Sequence, residues 1–149
     1  MTIQIDSREK PHAIRRIVSY FDRAGIEHRT KKLEVGDYVN PENPALVVDR
    51  KRNLDELCAN LCSGDRGRFW REIRRAKAMG VKLIILCEHG GAVKTIRDVA
   101  RWRSRYSPFG GRDLMERIYR VHISYGVEFL FCDKRRTGEQ IARLLGRLS

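Results

Sequence analysis

No stretch of the 149 residues is apolar for long enough to span a membrane, and no basic-then-apolar leader opens the chain. Nothing in the sequence therefore supports a membrane partner. Cysteine is scarce: Cys58, Cys62, Cys87 and Cys132 are the four, with no Cys-x-x-Cys pair and with Cys58 and Cys62 one helical turn apart. That pattern argues against a disulfide framework or a zinc site. It suits small apolar side chains in a reducing compartment, the cytoplasm or, in a eukaryote, the nucleus. Cys87-Glu88-His89 has no second ligand pair and reads as the end of a strand. There is no internal repeat, low-complexity run or linker, so one domain over 1–149 is expected. Negative charge is also short, at 19 acidic against 31 basic residues for a formal net charge of +12. An excess of that size points to a polyanionic partner, most simply nucleic acid.

Against that basic background, the stretch from Gly36 to Asp55 organises the chain. Gly36-Asp37-Tyr38-Val39 and Ala45-Leu46-Val47-Val48-Asp49-Arg50-Lys51 flank a turn, Asn40-Pro41-Glu42-Asn43-Pro44. Two apolar runs around a Pro/Asn turn predict a hairpin. Folding there sets Asp37 roughly opposite Asp49. Side chains alternate along a strand, so Asp49 and Lys51 share a face and Arg50 points the other way. Asp-x-Lys alone is common and usually an exposed surface pair. Two converging carboxylates, however, repel, and burying either is costly unless a cation joins them. Oxygen-only ligands favour Mg²⁺ or Mn²⁺ over zinc.

Alternation predicts a first strand at 2–6, and Pro11 is placed to open a helix running to Ala24, with Ile14, Ile17, Val18 and Phe21 on one face and Gly25 ending it. Residues 26–34 form a second strand. Asn53-Leu54-Asp55-Glu56 fits a capping box opening a helix with Leu54, Leu57, Cys58 and Leu61 inward, broken at Ser63–Gly67. A helix over 68–78, a nearly all-apolar strand over 81–87, a short helix near 93–103, a helix over 112–125 and a strand over 127–132 follow. Thr137-Gly138-Glu139-Gln140 is a second capping box, opening a last helix over 138–148. Early hairpin pairing combined with late strand–helix–strand units implies a mixed central sheet in a three-layer α/β/α domain.

The residues Asp6-Ser7-Arg8-Glu9, Gly36-Asp37-Tyr38, and Val48-Asp49-Arg50-Lys51 with Asp55 resemble the nuclease domain of the XPF/Mus81/Hef group of structure-specific endonucleases. The family pattern is Asp-x-Arg-Glu, then Gly-Asp, then Glu-Arg-Lys-x-x-x-Asp. Arg68-Phe69-Trp70-Arg71-Glu72-Ile73 and the strand Leu83–Cys87 are similar as well. The resemblance spans essentially the whole chain and implies a restriction-endonuclease-like core of the PD-(D/E)xK kind. Asp49 stands where the family usually has Glu, and either carboxylate can ligate a metal. No sequence remains for the tandem helix-hairpin-helix domain or the helicase that commonly accompany this domain.

The expected activity is metal-dependent hydrolysis of phosphodiester bonds in branched, flap or fork DNA. The alternatives are a non-catalytic DNA-binding subunit, which in this family has typically lost the carboxylates or lysine, and a nuclease of linear duplex or RNA. Asp37 and Asp49 are assigned as Mg²⁺ (or Mn²⁺) ligands with the Arg50 carbonyl as a third, the ion lowering the pKa of an attacking water and acting as Lewis acid. Lys51 would orient or deprotonate that water, or pair with the phosphate. By resemblance Asp6, Arg8, Glu9 and Asp55 also belong to the site, and Arg50 is a candidate clamp on phosphate or carboxylate. For DNA contact the candidates are Arg68, Arg71 and Arg75 beside Arg66 and Arg74, and the basic–aromatic stretch Arg97, Arg101, Trp102, Arg103, Arg105, Tyr106, Phe109 and Arg112. A solvated face, or core rings in the case of Trp102 and Phe109, would produce the same pattern. A homodimer is expected through the C-terminal helices. Met115, Tyr119 and His122 form a surplus face there, and Ile141, Leu144, Leu145 and Leu148 a stripe with little chain left to cover it.

Overall fold

The computed structural model describes residues 1–146. Six strands, β1 (Thr2–Asp6), β2 (Glu27–Lys31), β3 (Tyr38–Val39), β4 (Leu46–Lys51), β5 (Lys82–Cys87) and β6 (Glu128–Phe131), form one sheet in the order β2-β1-β3-β4-β5-β6. β1 and β2 are parallel, as are β4, β5 and β6, while the two-residue β3 runs antiparallel to both its neighbours. Five strands therefore point one way, and the carboxyl ends of β1, β4 and β5 meet the start of β3 at one edge of the sheet.

Helices cover both faces, as the three-layer expectation requires. On β5, Leu83, Ile85 and Cys87 pack with α2 (Leu54–Cys62), α3 (Arg68–Ala78) and α4 (Gly111–Tyr125), whereas Ile84 and Leu86 pack with α1 (Arg15–Arg23) and α5 (Thr137–Leu145). This is why β5 reads as an unbroken apolar run: its period of two is hidden when both faces are buried.

Several boundaries differ from the expectations. Pro11 lies in a turn closed by Ala13 N–H on the Lys10 carbonyl, and α1 starts only at Arg15, because Ile14 is non-helical (φ −111°, ψ 16°) and caps nothing. The second strand stops at Lys31, leaving Leu33 and Val35 buried in a loop. The segment near 93–103 is a 3-10 helix over Ile96–Arg101. Asn53 caps α2 as expected, accepting from Glu56 N–H at 2.9 Å. Thr137 does not cap α5; it is the first helical residue, and its hydroxyl donates to Glu88 Oε2 at 2.7 Å.

The stripe on α5 is not surplus. Ile141, Leu144 and Leu145 are fully buried against α1 and the sheet within the one chain, so α5 offers them to no partner; Leu148 lies outside the described residues. On α4, Leu114, Ile118 and Val121 face inward as expected, and Ile123 is 78% exposed. Among the described residues no helix is long and apolar enough to cross a membrane.

Candidate active site

The hairpin register pairs Tyr38 with Val48 and Val39 with Val47, which sets Asp37 opposite Asp49. Asp37 is held by its backbone, with its N–H on the Val48 carbonyl at 2.8 Å and its carbonyl accepting from Asp6 N–H at 2.7 Å. Gly36 makes this approach possible. Its φ is +70°, and a Cβ there would lie 2.2 Å from Val47 Cγ1, so the Gly-Asp pair is required both by conformation and by space.

Parity along β4 divides the next three side chains. Val48 packs toward α1 and α5, and Arg50 follows it. Val47 lies on the other face, and Asp49 and Lys51 follow that one. Lys51 Nζ lies 3.1 Å from Asp49 Oδ2 and 4.0 Å from the centroid of Phe69 on α3. The lysine contact is an ion pair without hydrogen-bond alignment, and Asp49 Oδ2 is buried with no hydrogen-bond partner. Arg50 bridges Glu9, at 2.7 and 3.1 Å, and Glu88 Oε1, at 2.5 Å, while its backbone N–H donates to Asp37 Oδ2 at 2.8 Å.

Of these, Glu9, Asp37, Asp49, Arg50, Lys51 and Phe69 line one cleft of about 330 Å³, together with Asp6, Arg8, Glu56, Asn60, Arg68 and Glu72. Six of its residues are acidic and four are basic in a chain of net charge +12, so the local balance is reversed. Burial, then the facing Asp49 by charge and hydrogen bonding, then Glu9 push the Asp37 carboxyl well above the usual carboxylate range; the Arg50 N–H only partly offsets them. Burial, then Asp49, push Glu72 up to about 7 against the pull of Lys51 and of the Gly36 N–H it accepts at 3.1 Å. Burial pulls the Lys51 ammonium down, but Asp49, then Glu56 and Asp37, more than offset it, and the lysine keeps its proton. Burial likewise opposes the Arg50 charge, and Glu9 and Glu88 outweigh it.

An oxygen-liganded cation fits this arrangement: two buried carboxylates face each other, Asp49 Oδ2 has an ion pair with Lys51 but no hydrogen bond, and the repulsion between the carboxylates is visible in Asp37. Among the described residues no three His, Cys, Asp or Glu side chains form a ready-made metal cage. The protein offers Asp37 and Asp49, the usual provision for Mg²⁺, which keeps several waters and takes one or two carboxylates.

The other expected residues divide. Asp6 is 1% exposed and accepts from Arg8 Nε at 2.6 Å and Leu33 N–H at 2.9 Å, so Asp6 and Arg8 line the cleft while tying down the loop before the hairpin. Asp55 does not line the cleft. It accepts from Ser104 Oγ at 2.5 Å, and Ser104 in turn accepts from Tyr106 and Ser107 N–H, so Asp55 holds the 104–107 turn. Arg68 is at the cleft. Arg71 and Arg75 are exposed beside it, each donating to a backbone carbonyl, of Arg66 and Glu34. Arg101, Arg103, Arg105 and Tyr106 are exposed, Tyr106 at 85%, whereas Trp102 and Phe109 pack partly against the α2–α4 core.

Glu72 and Glu88 were missed. Glu72 shares a helical face with Arg68 and Phe69, which was a usable signal; Glu88 had none beyond its place after an apolar strand.

A family model described as the ERCC4 domain matches residues 5–144. The chain belongs to the ERCC4 domain family. The family is one of nuclease domains, in agreement with the motifs. Among solved structures, XPF from Aeropyrum pernix superposes with a TM-score of 0.69 at 21% identity, covering 97% of this chain and 63% of that one. XPF from Aeropyrum pernix in complex with DNA gives 0.71 at 22% identity, covering 99% and 67%. These likenesses establish the shared fold; the chain spans roughly two thirds of those proteins' length. A comparison with curated proteins gave no match.

Proposed function

We propose that this ERCC4 domain is a Mg²⁺- or Mn²⁺-dependent DNA endonuclease acting on branched, flap or fork DNA. The observation that carries the reading is the Asp37–Asp49 pair, buried face to face, with Asp49 Oδ2 lacking a hydrogen bond and a protonated Lys51 ion-paired to it. When bound, a divalent ion would supply Lewis acidity toward the phosphoryl oxygens and a more acidic water. Asp37 and Asp49 would hold it, with the Arg50 carbonyl as a further oxygen. Lys51 supplies positive charge where a phosphate oxygen would sit. Arg50, fixed by Glu9 and Glu88, holds Asp37 in place through its N–H. The DNA complex of the Aeropyrum protein and the charge of +12 support DNA as the polyanion. The exposed Tyr106 among Arg103 and Arg105 supports contact with an unpaired base at a junction. A nuclease assay on matched linear, flap, fork and four-way DNA tests this, with Mg²⁺ or with EDTA. Cleavage in EDTA, or equal rates on linear and branched DNA, would each refute its part.

A homodimer is proposed on α4 rather than α5, since Ile123 is exposed there beside the half-buried Tyr119. Light scattering at low micromolar protein checks it: Ile123→Asp should give monomers, and a wild-type mass of 17.4 kDa would reject the dimer.

A further inference from the structure

On the flank of α3 away from the cleft lies a second cavity, of about 420 Å³, between α3 and α4. Arg74, Arg117 and Arg120 line it with Ser124, over an aromatic wall of Trp70 and Tyr125; Asp65 is the one carboxylate among its lining residues. Trp70 is 6% exposed, and its Nε1–H is buried without a hydrogen-bond acceptor. A buried donor left unpaired is costly, and an acceptor entering the cavity that Trp70 lines would relieve that cost. Arg74 donates to the Asp65 carbonyl at 2.8 Å, and Arg117 and Arg120 form no ion pair among the described residues. A phosphate oxygen answers both needs, as an acceptor for the indole and an anion for the guanidinium groups.

The geometry points to a second nucleic-acid site: we propose that this cavity seats a phosphate of a single-stranded segment that leaves the Asp37–Asp49 cleft across α3. The inference rests on the nuclease reading of that cleft. Glu72 and Trp70, two residues apart and so about 200° around α3, address the two cavities, and the exposed Arg71 and Arg75 lie on the helix between them. A helix with side chains is about 10–12 Å across, so a strand passing over its outer side follows a path of about 16–19 Å. Duplex DNA, with a persistence length of about 50 nm, cannot bend around such a cylinder, and a single strand can. An acidic peptide would satisfy the arginines equally, but only a strand held in the first cleft is delivered to the second by a basic track.

The test is DNA binding in EDTA, by anisotropy, on blunt duplex and on duplex with single-strand tails of increasing length. Wild-type affinity should rise with tail length and level off once the tail crosses α3. The double variant Arg117→Ala/Arg120→Ala should keep its affinity for blunt duplex and lose about tenfold on tails, its salt slope falling by about 0.7 for the one phosphate lost. The Trp70 indole N–H resonance, assigned with Trp70→Phe, should move downfield with tailed DNA and stay in place with blunt duplex. Equal losses on blunt and tailed DNA, or an unmoved indole resonance, overturn the proposal. So does an equal or tighter response to thymidine monophosphate, which would mark a mononucleotide site, or to a polyglutamate peptide, which would mark a protein-binding one. Cleavage by Asp49→Asn in Mg²⁺ is read separately. Tail binding lost to the double variant while Asp49→Asn still cleaves at the wild-type rate sinks the assignment of the chemistry to the Asp37–Asp49 cleft and leaves the second site standing. Wild-type tail binding by the double variant with Asp49→Asn inactive sinks this inference alone.

Discussion

The side chains that leave β4 in opposite directions solve opposite problems. Arg50, on the α1–α5 side, is flanked by Glu9 and Glu88, and Glu88 is further satisfied by Thr137. Every charge in that set has a partner. Asp49 and Lys51, on the α2–α3 side, meet Asp37 and Glu72, and there the negative charge exceeds the positive, Asp49 Oδ2 is left without a hydrogen bond and two carboxyl groups are pushed upward. Satisfied charge on one face makes a rigid frame, and unsatisfied charge on the other is where the proposed nuclease reading puts an external cation and a phosphate. One strand supplies both because its period of two separates them while its backbone couples them, Arg50 N–H holding Asp37.

The largest expected effect removes the unsatisfied side. Asp49→Asn or Asp37→Asn should cut Mg²⁺-dependent cleavage by about 10²–10³-fold or more, with DNA affinity kept or slightly raised as negative charge leaves. Melting temperature should hold or rise, because a repulsive pair is dissolved. A variant that unfolds would show these carboxylates to be structural, and one that still cleaves at the wild-type rate would take them out of the chemistry.

Next comes the satisfied side. Arg50→Met leaves two half-buried carboxylates without a counter-charge and should cost about 3–5 kcal/mol in urea unfolding. Arg50→Lys keeps the charge but cannot bridge Glu9 and Glu88 with one planar fork, and should lie between. If Arg50→Met were as stable as wild type, the contrast between the two faces would fail.

A smaller effect depends on pH. Glu72 is raised from 4.5 to about 7, so the folded state binds its proton more tightly than the unfolded state. Its contribution is favourable below pH 4.5 and is lost as pH rises toward about 7. Glu72→Gln, whose amide oxygen can still accept from Gly36 N–H, should therefore match wild type near pH 4. It should be more stable at pH 8 by about 1–3 kcal/mol, discounted for partial solvent access. Thermal melts across that range, without metal, give the sign directly.

The hairpin face was legible because a Pro/Asn turn, alternation and two aspartates lie within one short segment, and register then follows from parity. Glu72 and Glu88 come from α3 and the end of β5, and only the closed sheet brings them to Asp49 and Arg50. Thr137 shows a local signal overridden: Thr-x-x-Gln fits a capping box, yet a buried carboxylate that needs a donor takes the hydroxyl. The apolar stripe of α5 was correctly seen and wrongly assigned, since periodicity reveals that a face is covered but not whether α1 or a second chain covers it.

The smallest expected effect concerns Asp55, which follows the hairpin at the spacing of a catalytic residue yet faces away from the cleft. It anchors the turn bearing Tyr106 by one hydrogen bond to Ser104 Oγ at 2.5 Å, with that hydroxyl accepting from Tyr106 and Ser107 N–H. Asp55→Ala loses one hydrogen bond to a charged acceptor in a half-buried place, a cost of about 1.5–3 kcal/mol at most and less with water able to replace it. The turn should loosen and Tyr106 should lose its fixed position. The rate on linear DNA should then stay within about threefold of wild type, under 1 kcal/mol in barrier height, while binding to branched DNA weakens. Ser104→Ala should reproduce the same split, since it removes the other end of the same bond. A rate loss on linear DNA approaching that of Asp49→Asn would place Asp55 with the catalytic carboxylates, and Ser104→Ala would then fail to copy it.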